Sequence, residues 1–230
     1  MIHQTENKFS LVRVPMWAGR SFQAGFGVGG VSIQQYFSAG VIPETKQIHS
    51  DVIHVVGRAS RGALEGDALI TREKGVVCWV RTADCVPILL ADPDVGVIAA
   101  IHAGWKGTIA RIVQKTVTRM QKEFGSNPAN IEAAIGPAVC GRCYLVRKDV
   151  VSQFRECGFS SVPWLEEATL DQWRLDLAYA NLQLLEESGV QKEKIYFSLA
   201  CTKEDPSRFH SYRREGDKRG EQVSFIYLSS

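Results

Sequence analysis

Two almost unbroken apolar runs, 87–91 and 97–101, flank the stretch Asp92-Pro93-Asp94-Val95-Gly96. Runs this short and this apolar predict strands covered on both faces. The Asp, Pro and Gly residues between them predict a tight reversal, so the pair reads as a hairpin. Enrichment in β-branched residues predicts further strands over 52–56, 67–71, 76–82, 131–135, 195–199 and 223–228. A different period marks 108–124. Apolar residues at 109, 112, 113, 117, 120 and 124 form one helical stripe, while Arg111, Lys115, Arg119 and Lys122 stay largely off it. Gly125 supplies the stop. A second helix is predicted over 176–188, with Asp176 as N-cap and Gly189 beyond its end. The glycine-rich stretch 24–32 reads as a loop. Many strands with a few separate helices, and no repeat or linker, point to one α+β domain over 1–230 with mixed or antiparallel sheet.

Composition narrows the function class. The 230 residues are 45% apolar and 23% charged, with 27 basic against 25 acidic side chains. A balance this even gives no global electrostatic case for a nucleic-acid partner. The basic group Arg208, Arg213, Arg214, Lys218 and Arg219 reads as a solvated face. No apolar run approaches the roughly 20 residues a bilayer span needs, and Met1–Lys8 lacks a signal-peptide profile, so no membrane partner and a cytoplasmic location are expected. Six cysteines in this length are too sparse for a disulfide scaffold; in a reducing compartment they serve as core residues, metal ligands or nucleophiles.

The hairpin carries the candidate chemistry. If it turns about residue 94, Cys85 faces position 103, one step from His102, with opposed Cα atoms roughly 4.5–5.5 Å apart. A thiol and an imidazole that close serve packing, a Cys/His nucleophile pair, or a metal. Asp84, Gly104, Trp105 and Gly107 around them are costly choices for packing alone. A metal site needs one more ligand, and His3, His49, His54 and His210 are the candidates. Thiolate with imidazole suits zinc or copper rather than magnesium or calcium.

The stretches Asp67–Thr71, Thr82-Ala83-Asp84-Cys85-Val86-Pro87, His102-Ala103-Gly104-Trp105-Lys106-Gly107-Thr108 and Gly136-Pro137 through Cys143-Tyr144 resemble the laccase-domain family. Its members were first called multicopper polyphenol oxidases and are now described as purine nucleoside phosphorylases. The resemblance runs from about residue 25 to the end. It implies two mixed sheets between helices, a four-layer α/β/β/α arrangement, and a catalytic zinc on His49, Cys85 and His102. The implied partners are purine nucleosides and phosphate. The implied reactions are phosphorolysis of adenosine, inosine, guanosine or methylthioadenosine, and deamination of adenosine. Three features depart from the family pattern. Gly27-Val28 stands where Ser-Thr-Arg usually precedes the Gly-Gly-Val-Ser stretch, so a loop arginine is missing. Only Ile33 to Lys46 lies between that stretch and the Gln47-Ile48-His49 motif that carries the first zinc ligand, where the family usually has a longer segment. Leu145 replaces a common Glu.

For such a reaction Asp84 is the nearest candidate general acid or base beside Cys85. Lys106, Arg213 and Arg214 are candidate anion contacts, and Trp105 is a candidate stacking surface for a purine. Competing readings are a copper-dependent polyphenol oxidase, a metal-free Cys85/His102 hydrolase and a non-catalytic nucleoside-binding protein. Five histidines are few for multicopper chemistry. Cys140-Gly141-Arg142-Cys143 is a lone pair of thiols, without the second pair of a zinc ribbon or the helix of a redox motif, and reads as a loop rim.

Overall fold

The computed structural model describes residues 10–37, 40–159 and 163–229. The fold is mixed α+β, as the sequence predicts. Strands and helices are numbered along the chain. One antiparallel sheet runs β1 (Leu11–Val12), β2 (Phe22–Gly27), β15 (Gln222–Leu228), β7 (Val77–Thr82). A six-stranded sheet runs β14 (Ile195–Phe197), β10 (Glu132–Ile135), β8 (Val86–Asp92), β9 (Val97–Ala103), β6 (Ala68–Thr71), β4 (Ile53–Val55). It is mixed, because β14 joins β10 and β4 joins β6 in parallel while the other pairs are antiparallel. Two small sheets complete the set: β11 (Leu145–Val146), β13 (Gln172–Leu175) and β12 (Leu165–Thr169), and the pair β3 (Thr45–Lys46) with β5 (Leu64–Glu65).

The β8–β9 hairpin is the centre of the molecule, and every residue of both strands is buried. Alternation sorts its side chains between two cores. Ile88, Leu90, Ala99 and Ile101 pack with α3 (Ile112–Phe124), α4 (Lys148–Glu156) and α5 (Leu177–Glu187). Leu89, Ala91, Ile98 and Ala100 pack with the four-stranded sheet through Phe26, Cys78, Val80 and Ile226. This double cover is why the strands are apolar on both faces. The outer layer over the four-stranded sheet is thin. It includes the single turn α1 (Ile33–Tyr36), with Tyr36 and Phe37 packed on Phe225.

Four expectations are corrected. The hairpin register is one residue from the expected one, with Val86 opposite Ala103 and Pro87 opposite His102, because Asp92 still pairs with Val97 and caps the turn through Asp94 N–H and Gly96 N–H. The helix expected over 108–124 is two helices, α2 (Trp105–Ile109) and α3, broken where Arg111 takes a left-handed φ of 60°. The break starts a helix earlier, at Trp105, and Asn181 of α5 holds it through the Thr108 hydroxyl at 3.0 Å. The glycine-rich stretch begins as strand β2 rather than loop, because Phe22 and Phe26 alternate into the core. Gly27 is needed there for closeness: a Cβ would lie 2.7 Å from the Val223 carbonyl and 2.8 Å from the Tyr36 hydroxyl. The basic group is not one solvated face, as described with the cleft below.

Candidate metal centre and cleft

At the open end of the hairpin three side chains from three segments converge. His102 is the penultimate residue of β9, Cys85 immediately precedes β8, and His49 lies in the loop between β3 and β4. Their nearest donor atoms all lie within 4.8 Å of one another, and Cys85 Sγ is 4.0 Å from His49 Nε2. The two imidazole rings stand edge to face, 4.8 Å between centroids. These distances are close to the roughly 3.5 Å separating nitrogen and sulfur donors around a tetrahedral zinc-sized ion. Of the other candidate ligands, His54 Nε2 bonds the Glu65 carbonyl at 2.9 Å and His210 Nδ1 faces Glu215 at 3.3 Å. His3 lies outside the described residues.

A buried carboxylate, missed at the sequence level, assembles this triad. Asp67 accepts from the backbone N–H groups of Ile48, His49 and Ser50, at 3.3, 3.1 and 2.6 Å, and from the Ser50 hydroxyl at 2.7 Å. Those bonds hold His49 in a left-handed conformation, φ 57°, that costs a β-carbon residue about 1 kcal/mol. The same carboxylate takes His102 Nδ1 at 2.7 Å. With Nδ1–H committed, Nε2 is the nitrogen left for a metal, the usual carboxylate–histidine support. One side chain therefore fixes two of the three donors.

The electrostatics follow from that packing. Burial opposes ionisation of Asp67, yet the His102 and Ser50 bonds hold its carboxyl down at about 2. Burial pushes the Cys85 thiol up, but His102 and then His49 outweigh it and hold the thiol at about 6. Burial pushes His102 down, but Cys85 and Asp67 outweigh it and hold the imidazole at about 9. Cys85 is thus a ready thiolate, the form that binds metal.

The triad lies in the wall of a cleft of about 410 Å³, within the range of small-molecule sites. Trp105, Tyr144 and Tyr212 line it, and Arg81, Arg213 and Arg219 bring positive charge. Arg213 lies over the Tyr144 ring and Arg219 over the Tyr212 ring, 4.5 and 4.8 Å from their centroids. Among the described residues neither Arg213 nor Arg219 has a carboxylate partner within 4.0 Å. Arg81 faces Glu221 at 3.7 Å.

The other expected site residues divide. Trp105 and Arg213 are in the cleft. Arg214 is directed away from it: its guanidinium donates to the carbonyls of Thr202, Lys203 and Phe209 and meets Glu215. Lys106 is exposed and outside the cleft lining, its Nζ 5.7 Å from the Trp105 ring. Asp84 is in the lining and buried, with a left-handed φ of 96°. Both its oxygens are engaged, Oδ1 by the Thr202 hydroxyl and Oδ2 by Arg213 N–H, each at 2.6 Å. No sequence signal separated Arg219 from its basic neighbours; only the cleft geometry does.

A family model described as "Multi-copper polyphenol oxidoreductase laccase" matches residues 34–229. The chain belongs to that family. Similar proteins include a purine nucleoside phosphorylase of Deinococcus radiodurans, 43% identical over 84% of this chain and 72% of the relative. Another is adenosine deaminase RL5 of an unknown prokaryotic organism, 37% identical over 79% of this chain and 73% of the relative. The crystal structure of YlmD from Geobacillus stearothermophilus superposes with a TM-score of 0.87 at 27% identity, covering the whole of both chains. Only two of the four described histidines enter the candidate metal centre, so among the described residues there is no histidine set for several copper ions.

Gly104 shows how tightly the centre is built. A Cβ there would sit 3.0 Å from the His49 ring and 3.2 Å from Cys85 Sγ, while its φ of −75° suits any residue. Gly104→Ala is expected to fold normally and to lose roughly tenfold or more in metal affinity, comparable to disturbing a ligand's support. Competition against a chromogenic chelator measures it, and unchanged affinity contradicts the assignment.

Proposed function

We propose that this protein is a zinc-dependent purine nucleoside phosphorylase. The observation that carries the reading is the meeting, in one cleft, of a two-imidazole, one-thiolate donor set with two arginines that have no carboxylate partner among the described residues. Three protein donors leave a fourth position open, the arrangement of catalytic rather than structural zinc. When bound, zinc supplies Lewis acidity and draws the pKa of water towards roughly 7. The names of the relatives, purine nucleoside phosphorylase above all, support the substrate class.

In this reading His49, Cys85 and His102 hold the metal and Asp67 orients both imidazoles. Arg213 and Arg219 receive the phosphate dianion, taking the part of the loop arginine the chain lacks. Arginine suits this role because its planar donors match phosphate oxygens in pairs. Trp105, Tyr144 and Tyr212 offer aromatic faces to the purine. In the reaction a phosphate oxygen bonds to the anomeric carbon as the C–N glycosidic bond breaks, and the purine departs with the electron pair. Asp84, with both oxygens engaged, acts as a positioning residue: it ties the Cys85 strand end to the Arg213 backbone and to Thr202.

A second reading, hydrolytic deamination of adenosine, draws on the same three-donor centre and on the relative of that name. The thiolate and thiols of the chain fit a reducing, cytoplasmic setting, since all six cysteines are free.

Incubating the protein with adenosine, with and without phosphate, separates the readings. Phosphate-dependent release of adenine and pentose 1-phosphate is expected, with the phosphate KM of Arg213→Ala raised about tenfold, equivalent to ~1.4 kcal/mol. Inosine and ammonia formed without phosphate would favour deamination, and no turnover of any purine nucleoside by the zinc-loaded protein would sink both.

A further inference from the structure

A second cluster of donor atoms lies outside the cleft lining. Cys140, Cys143, Cys201 and Glu204 each present one ligand atom, and the four lie within 4.8 Å of one another. It shares no residue with His49, Cys85 and His102. The lone Cys-x-x-Cys of the sequence thus gains two further donors, from a segment some sixty residues downstream.

The backbone is shaped to bring them together. The amides of Cys143 and Tyr144 both donate to the Cys140 carbonyl, at 2.9 and 3.0 Å, so the first two thiols share one tight turn. Ala138 and Cys201 form an isolated parallel bridge, with Thr202 N–H on the Ala138 carbonyl at 3.0 Å. The Cys140 amide donates to Cys201 Sγ at 3.4 Å, and the Cys143 thiol donates to Glu204 Oε1 at 3.3 Å. Cys201 is buried, Cys140 and Cys143 are half-buried, and Glu204 is exposed.

We propose that Cys140, Cys143, Cys201 and Glu204 form a second, structural metal site for a thiophilic divalent ion of the zinc class. Three sulfurs and a carboxylate fill a tetrahedral shell and leave no position for substrate, unlike the first centre. Arg142 pairs with Glu204 at 3.2 Å, one positive charge beside four groups of potential negative charge, and a divalent ion supplies the rest.

The position of the cluster gives the ion a task. The residues adjoining it brace Asp84: Val139 N–H donates to the Asp84 carbonyl at 3.0 Å and the Thr202 hydroxyl to its carboxylate at 2.6 Å. Val139 and Tyr144 also line the cleft. An ion joining the two segments would clamp the cleft wall behind Asp84 and Cys85. The proposal does not depend on the nucleoside reading.

The test is a cobalt titration of reduced Cys85→Ala protein, in which the first centre has no sulfur and gives no thiolate-to-cobalt charge transfer. One equivalent of cobalt is expected to produce that absorption, and zinc is expected to displace it. Cys85→Ala/Cys143→Ser is expected to lose most of the band. Cys85→Ala/Glu204→Gln, altered only at an exposed side chain, keeps the band but binds at least about tenfold more weakly. Absence of the band in Cys85→Ala, or a band and affinity unchanged by Glu204→Gln, overturns the site, whether or not the Cys143→Ser protein folds.

Discussion

Cys85→Ala is expected to lose its zinc and its nucleoside turnover together, the latter by at least about a thousandfold, equivalent to ~4 kcal/mol of transition-state stabilisation. The thiolate is the one anionic donor among the three, and without it two neutral imidazoles face the ion alone. The fold should survive. Cys85 sits at the rim of β8 rather than in either core, and a thiol to a methyl group removes little buried volume. The measurement is zinc content by mass spectrometry beside the rate of purine release, on protein whose thermal unfolding matches the parent. A competing Cys85/His102 hydrolase also predicts lost turnover. The metal content separates the two, because a metal-free hydrolase carries no zinc in the parent protein. Full turnover by zinc-free Cys85→Ala would end the metal reading.

What could be read from the sequence, and what could not, follows from the range of the forces involved. The hairpin was legible because its strands are apolar on both faces and its turn is written in Asp, Pro and Gly. Asp176 and Gly189 marked the ends of α5 because capping is local: the Asp176 side chain accepts from Tyr179 N–H at 3.1 Å, and Gly189 has a φ of 90°. The break at Arg111 was not legible, since an arginine in the left-handed region carries no local signal. Its guanidinium lies over Phe159, 4.8 Å from the ring centroid, a contact made only in the folded chain. Glycines misled at β2, where they mark close packing rather than a turn.

The site divides in the same way. Cys85 and His102 were legible as a pair because one hairpin carries both, even with the register one residue off. His49 came from a motif resemblance, and spacing alone left it equal to His54. Arg213, Arg214 and Arg219 share one basic stretch, yet their guanidinium groups meet a tyrosine, a cage of carbonyls and a second tyrosine. Which of them faces the cleft is decided by α6 (Tyr212–Glu215) and the turn after it, and α6 is positioned by Asp84, more than a hundred residues earlier in the chain. Cys201 and Glu204 were invisible as ligands for the same reason: the Cys140 turn finds them only through the bridge from Ala138.

Asp67 tests the centre most sharply, because it can be changed in two ways with different outcomes. Asp67→Ala removes the acceptor for three backbone amides, one hydroxyl and one imidazole. Leaving such buried donors unpaired costs roughly 3–5 kcal/mol, so a marked fall in melting temperature is expected together with loss of metal. Asp67→Asn keeps the size and one oxygen but introduces an NH₂ group among donors. If that NH₂ turns to His102, it forces the proton of the neutral ring onto Nε2, the nitrogen required by the metal. If it turns to the loop, it opposes the Ser50 amide that Oδ2 accepts at 2.6 Å, and the conformation of His49 is released. Either orientation damages one ligand, so Asp67→Asn is expected to bind zinc 10- to 100-fold more weakly with a smaller loss of stability than Asp67→Ala. Zinc affinity by chelator competition, read beside thermal unfolding of both metal-free variants, checks the ordering. A stable Asp67→Asn protein with parental zinc affinity would show that the carboxylate supports the fold alone and does not orient the ligands.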